Sequence, residues 1–278
     1  MTEKIALENK QLNIHPVKNA DSPPLVVLIH GLTGNYLQMH HFQSHLSDRY
    51  DTVSYDLSGR GDSDLQKAPT DIHQHTDDLM QFLNKTDYST FILIGYSMGG
   101  YIALEAAAKM KGIEKVILLD GGGEAGENTS NLVLPSLGRL DKKFESVDAY
   151  REMMQQSYGA LGVEWSSIMD KVIEHEVENI DGTVQHKSDY SLTKQDFESF
   201  YEFPHADVYK NVKAPVFLII CTGAIKDGIP LFSKDGYDKM LSTVPSIKSS
   251  TYDINHYEIV FNEQNDLNQE IDDFLKKE

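Results

Sequence analysis

The stretch FILIGYSMGGYIALEAAA, residues 91–108, constrains the fold more than any other in the chain. An apolar run rich in isoleucine stops at Gly95. Tyr96, Ser97 and Met98 follow, then Gly99 and Gly100, and an alanine-rich helical pattern begins. A strand that becomes a helix within so few residues needs a sharp turn, and the glycines leave backbone room for it. The stretch fits G-x-S-x-G, in which the serine occupies the strained apex of a strand-to-helix turn. The Ser97 hydroxyl is then expected above the C-terminal edge of a parallel sheet, where the sites of such sheets lie. The helix behind it would aim N–H groups at a nascent anion.

The rest of the chain repeats the alternation. Apolar runs recur as LVVLIHG (25–31), YDTVSYDLSG (50–59), KVILLDGG (115–122), APVFLIICTG (214–223) and the weaker KSSTYDIN (248–255). Helix-like segments separate them, among them LQMHHFQSHLSD, TDDLMQFLNK and, at the end, EQNDLNQEIDDFLKK. Strand and helix in turn predict an α/β fold, a parallel sheet with crossover helices on both faces. The opening KIALENKQLNIHPV reads as a β-hairpin turning near Asn9–Lys10. His73 and His75 read as loop residues ahead of the TDDLMQFL helix.

The rhythm breaks between Glu124 and Val212. Helical patterns dominate there, in SVDAYREMMQQSYGAL, WSSIMDKVIEHEVENI and SLTKQDFESFYEF, and DGTVQHK reads as a turn with at most a short strand. So long a stretch between two strands is not a loop. The expected organisation is a core domain, 1–123 and 213–278, with an inserted helical cap at 124–212.

Composition narrows the partners. Acidic residues number 43 against 25 Lys and Arg, a formal net charge of −18. That surface repels phosphate backbones, so nucleic acid is not an expected partner. No apolar run reaches the ~18 residues of a membrane span. MTEKIALENK lacks a secretory apolar region, so a cytoplasmic location and no membrane partner are expected. The one cysteine, Cys221 in VFLIIC, is expected as a buried strand residue. His40, His41 and His45 come without an H-E-x-x-H pattern or a cysteine ligand, so they read as a solvated helix face and no metal is expected.

A serine becomes a nucleophile only beside a base, and the base needs an orienting acid. For this motif the partners follow in the order Asp or Glu, then His. His256 in DINHYEIV is the only histidine after His205 and is the expected base. Asp227, in AIKDG after the VFLIICTG strand, is the expected acid; Asp120 and Asp235 are its rivals, and Asp253 lies too close to His256 in sequence. An oxyanion would need two amides, expected from Met98, next to the serine, and from Leu32, in the loop after LIHG.

These segments together resemble the α/β-hydrolase fold family over nearly the whole chain. HGLTGN looks like its oxyanion loop, DLSGRGDSD its glycine turn, GYSMGG its nucleophile elbow, TGAIKDG its acid loop and NHYEIV its histidine loop, with Asn255 where most relatives have glycine. The resemblance implies an eight-stranded, mostly parallel sheet with one antiparallel strand, flanked by helices and carrying a helical cap at 124–212. Ser97 argues against the dehalogenases and epoxide hydrolases of this fold, which use aspartate there. The elbow also looks like that of the menaquinone-pathway C–C lyases, which continue with an arginine for substrate carboxylates. Tyr101 takes that place here, and the 124–212 segment has only Arg139 and Arg151, which disfavours a poly-carboxylate substrate. The expectation is a serine hydrolase, carboxylesterase-like, that cleaves a small ester or related acyl compound through an acyl-enzyme, with no cofactor. C–C bond hydrolysis or lyase chemistry on the same triad, or a ligand-sensing protein that retains the triad, are the alternatives. The motifs specify neither the substrate nor the oligomeric state.

Overall fold

A computed structural model describes residues 1–19 and 24–276. The chain opens with β1 (Glu3–Ala6) and β2 (Gln11–Val17), then β3 (Leu25–Ile29), β4 (Thr52–Tyr55), β5 (Phe91–Tyr96) and β6 (Ile113–Leu119). Three short strands follow, β7 (Lys143–Phe144), β8 (Val177–Ile180) and β9 (Thr183–His186), and then β10 (Val216–Cys221) and β11 (Ile247–Tyr252). Eight of these form one sheet in the order β1-β2-β4-β3-β5-β6-β10-β11. β2 runs antiparallel to both its neighbours, and the other pairings are parallel. The expected N-terminal hairpin and mostly parallel sheet are both present.

The central strands are apolar on both faces because both faces are covered. Val27, Leu93, Leu118 and Leu218 point into one core, with Leu79 and Phe82 of α2 (Ile72–Asn84), Ile102 and Leu104 of α3 (Met98–Lys109) and Val208 and Tyr209 of the 205–211 helix. Leu28, Ile94, Ile117 and Ile219 point into the other, with Phe42 and Leu46 of α1 (His40–Leu46) and Leu267, Ile271 and Phe274 of the C-terminal helix. Each such side chain, fully buried, contributes about 1.5–3 kcal/mol. Among the described residues no helix is long and apolar enough to cross a membrane.

Two local expectations are corrected. α2 begins at Ile72, because Asp71 accepts a hydrogen bond from the Gln74 amide at 2.8 Å and caps it there. His73 and His75 are therefore helical, and His75 is fully buried. The 124–212 segment contributes α4 (Glu127–Leu137), α5 (Val147–Gly159), α6 (Ser167–Glu176), α7 (Tyr190–Glu202) and α8 (His205–Asn211), but it is not purely helical. The run expected as one helix to Ile180 stops at Glu176 and continues as β8, which pairs with β9, and β9 with β7. Asp181 and Gly182, with φ of 51° and 81°, make the tight turn that a two-residue hairpin requires.

Candidate active site

β5 passes the chain to α3 through Ser97, whose φ of 53° and ψ of −117° lie outside the regions ordinary residues occupy. Such a conformation costs on the order of 1–3 kcal/mol and persists only where the surroundings enforce it. Here the Ser97 amide donates to Leu119 O of β6 at 3.1 Å, and the Ser97 carbonyl accepts from the Gly100 amide at 2.9 Å. A Cβ on Gly95 would lie 2.2 Å from Gly99 O, so the turn closes only with glycine at that position.

His256 lies in the loop after β11 and is buried. Its ring stacks on Tyr96, with centroids 4.8 Å apart, and meets the edge of Phe232 at 5.5 Å. The Tyr96 hydroxyl donates to His256 O at 2.7 Å, so the residue before the serine holds the histidine by both ring and backbone. Asn255, the departure from the family's glycine, has its own work. Its Oδ1 accepts from the amides of Tyr257 (2.9 Å) and Glu258 (3.2 Å), and its Nδ2 donates to Leu161 O (2.6 Å) of the 124–212 segment.

The carboxylate on His256 is Asp120, not Asp227. His256 Nδ1 donates to Asp120 Oδ2 at 2.7 Å. Asp120 Oδ1 accepts from the Cys221 amide at 3.1 Å and the Tyr237 hydroxyl at 3.0 Å. A carboxylate can only accept, so Nδ1 carries a proton, and the tautomer this selects for the neutral ring has its lone pair on Nε2. Asp120, His256 and Ser97 are 1%, 3% and 6% exposed. Asp227 is exposed, at the tip of a hairpin in which the Ile229 amide donates to Lys226 O at 2.8 Å. Its φ of 52°, with 78° at Gly228, is the pair of left-handed residues a type I′ turn demands, and Asp-Gly suits it. The Asp-Gly pair serves the turn. The other rival, Asp235, is exposed on the short helical turn Lys234–Tyr237.

Met98 follows Ser97 directly, and Leu32 lines the same cavity as Ser97. Met98 is the first residue of α3, where an amide has no intrahelical acceptor. Leu32 sits in the Gly31–Gly34 turn and lines the cavity at Ser97. Its carbonyl accepts from Arg60 Nε at 2.9 Å. Sequence reasoning missed Arg60, which is 1% exposed. Arg60 also donates to Gln66 Oε1 and to Asp196 Oδ2 of α7, each at 2.7 Å, and so ties the Leu32 loop to the 124–212 segment. Burial alone would raise the Asp196 carboxyl, but His75 and Arg60 together hold it far below the ordinary carboxylate range. His30 completes the frame: its Nδ1 donates to Gly31 O at 2.7 Å, and its Nε2 accepts from the Leu57 amide at 3.0 Å.

Ser97 and His256 open on one cavity of about 50 Å³, roofed by Val133 and Leu137 of α4 and Phe200 of α7. A wider cavity of about 310 Å³ adjoins it; Thr33, Ser136 and Tyr257 line both. A buried serine, a histidine with its lone pair free and a carboxylate behind it can activate a hydroxyl for attack on a carbonyl.

Comparison with known proteins agrees with this fold. Residues 24–154 match the family model described as alpha/beta hydrolase fold. Over 105 residues the chain is 30% identical to 2-(acetamidomethylene)succinate hydrolase of Mesorhizobium japonicum, 37% of this chain and 38% of that protein. Over 108 residues it is 29% identical to epoxide hydrolase 3 of Xenopus tropicalis, 38% of this chain and 29% of that one. The chain thus spans about a third of the length of the curated relatives it matches. Whole-chain likeness comes from solved structures. The crystal structure of E-2-(acetamidomethylene)succinate hydrolase has a TM-score of 0.86 at 18% identity, covering 100% of this chain and 99% of that one. The enol-lactonase of Burkholderia xenovorans has a TM-score of 0.74 at 17% identity, covering 99% and 100%. With the elbow, the sheet order, the family model over residues 24–154 and the solved structures in agreement, the chain has the alpha/beta hydrolase fold.

Proposed function

We propose that this protein is a serine hydrolase that cleaves a small ester or related acyl compound. The observation that carries this reading is the 2.7 Å bond from His256 Nδ1 to Asp120, with His256 and Ser97 lining one cavity. In this reading Ser97 Oγ attacks the substrate carbonyl and His256 Nε2 takes its proton. Asp120 holds the imidazole tautomer and stabilises the imidazolium. The amides of Leu32 and Met98 receive the oxyanion; each such donor is typically worth about 2.7–4 kcal/mol of barrier. His256 returns the proton to the leaving group, and water, activated by the same histidine, then cleaves the acyl-enzyme.

The volume of about 50 Å³ at Ser97 supports a short group at the reacting carbon. The names of two structures of the same fold, an enol-lactonase and an acetamidomethylene succinate hydrolase, are in keeping with acyl chemistry, since an enol lactone is a cyclic ester. A fluorophosphonate probe is expected to label the protein, and Ser97→Ala to abolish both labelling and turnover across a panel of esters of increasing acyl length. Labelling that survives the substitution would sink the proposal.

A further inference from the structure

The chain has four arginines. Three have carboxylate partners: Arg49 with Asp272, Arg60 with Asp196, and Arg151 with Asp148, Asp170 and Glu174. Arg139, just past α4, has no carboxylate within ion-pair distance among the described residues. Its Nη2 donates to Thr33 Oγ1 at 2.8 Å and its Nη1 to Ser136 O at 3.2 Å, while its buried Nε has no hydrogen-bond partner. Thr33 and Ser136 are residues where the wider cavity meets the cavity at Ser97. Arg139 is thus held at that junction by neutral groups, with no carboxylate in direct contact among the described residues.

The lining of the wider cavity points the same way. Among the described residues it is lined by Arg139 and Lys142 and by no acidic side chain, in a chain with a net charge of −18. The rest is apolar or neutral, chiefly Met153, Met154 and Tyr158. The buried Glu176 acts on Arg139 from a distance. Its carboxylate accepts from the Tyr150 hydroxyl at 2.7 Å, and burial pushes its pKa up against the opposing pull of Arg139. An arginine with no carboxylate in contact, beside a cavity whose described lining carries two cationic side chains and no acidic one, is built to receive an anion.

We infer that the wider cavity is an anion subsite in which Arg139 receives a carboxylate on the substrate, at the end remote from the carbonyl that Ser97 attacks. This inference rests on the serine-hydrolase reading and adds the substrate class, an acyl compound with one free carboxylate. The arginine scarcity in the 124–212 segment argues against poly-carboxylates, yet one well-placed arginine suffices for a single carboxylate. Lys142, exposed at the rim, adds attraction without fixing geometry.

The test uses matched pairs of substrates that differ only in charge. Mono-4-nitrophenyl esters of adipate and suberate are compared with the neutral hexanoate and octanoate esters, and the readout is the ratio of kcat/KM within each pair. Wild type is expected to favour a charged ester by about tenfold or more, and Arg139→Gln to lower that ratio by about tenfold, chiefly through KM, with Arg139→Lys between. A ratio cancels any general loss of folding or turnover. A wild-type ratio near unity in both pairs, or one unmoved in Arg139→Gln, overturns the subsite. Fluorophosphonate labelling lost in Ser97→Ala keeps the hydrolase reading standing in that case. If no ester turns over, calorimetry with free adipate and suberate decides: binding to wild type that Arg139→Gln loses supports the subsite. Absence of binding, or binding that survives the substitution, overturns it.

Discussion

Asp120 and Asp227 invite comparison. Each follows a buried parallel strand at the same edge of the sheet, each precedes glycine, and their φ angles are 46° and 52°. One is buried and holds His256; the other caps an exposed hairpin. The difference lies in what surrounds the carboxylate. Asp120 comes directly after Leu119 of β6, the strand beside β5, and finds three donors: the Cys221 amide, the Tyr237 hydroxyl and His256 Nδ1. Asp227 comes six residues past the end of β10, where the chain has already left the sheet and turned back on itself. Left-handed backbone is common to both, so strain alone marks neither as functional.

The largest effect that could break this contrast is catalytic. Asp120→Asn is expected to lower kcat by roughly 10³–10⁴, the loss that follows when the histidine tautomer is no longer held. Asp227→Asn should stay within about twofold of wild type in the same assay. Equal losses would return Asp227 to the site.

Stability offers the next contrast. Replacing Asp120 by glycine removes the acceptor from three buried donors and is expected to cost about 3 kcal/mol in urea melts, despite the relief of its backbone. The same change at Asp227 removes only a strained φ, and its expected effect lies within about 0.5 kcal/mol of zero or is stabilising.

A pH series sharpens the part played by burial. Burial holds His30, under the Leu32 loop, down to about 4, against the opposing pull of Asp56. The unfolded chain takes up that proton near ~6.5, and the folded chain takes it up only near the lower value. Stability from this group is therefore complete above pH ~6.5 and declines as pH falls toward 4, by roughly 3 kcal/mol in all. His186, also depressed by burial, adds to the decline, and Glu176, raised by burial, opposes it. His30→Asn should flatten the slope between neutral and mildly acidic pH. An unchanged slope would mean that His30 is protonated in the fold.

The smallest expected effect isolates one donor. Tyr237→Phe keeps the buried ring but removes the hydroxyl from Asp120, at a cost of about 1 kcal/mol and a loss of several-fold in kcat. No change in kcat would show that Cys221 and His256 orient the carboxylate unaided.

Much of the frame was legible from composition and period alone. The apolar runs became the inner strands because only a doubly covered sheet buries both faces of a Val- and Ile-rich strand. Ser97 was legible because a strand, two glycines and a helix leave one way to make the turn, and His256 because few histidines compete with it. The carboxylate that meets His256 was not legible. Asp-Gly occurs at 120, 181, 227 and 235, and the dipeptide reads alike in all four. The small sheet of β7, β8 and β9 was hidden because Val177–Ile180 continues a helical pattern and becomes a strand only by pairing with Thr183–His186.

The sequence by itself therefore determined the sheet, the elbow and the serine at its apex, because those follow from local period and turn chemistry. Tertiary structure alone decided that Asp120 meets His256, that Arg60 ties the Leu32 loop to Asp196, and that Arg139 has no carboxylate in contact among the described residues beside the cavity. Those are long-range pairings. They depend on which charges the fold brings within hydrogen-bond reach and which it strands, and no local pattern encodes that.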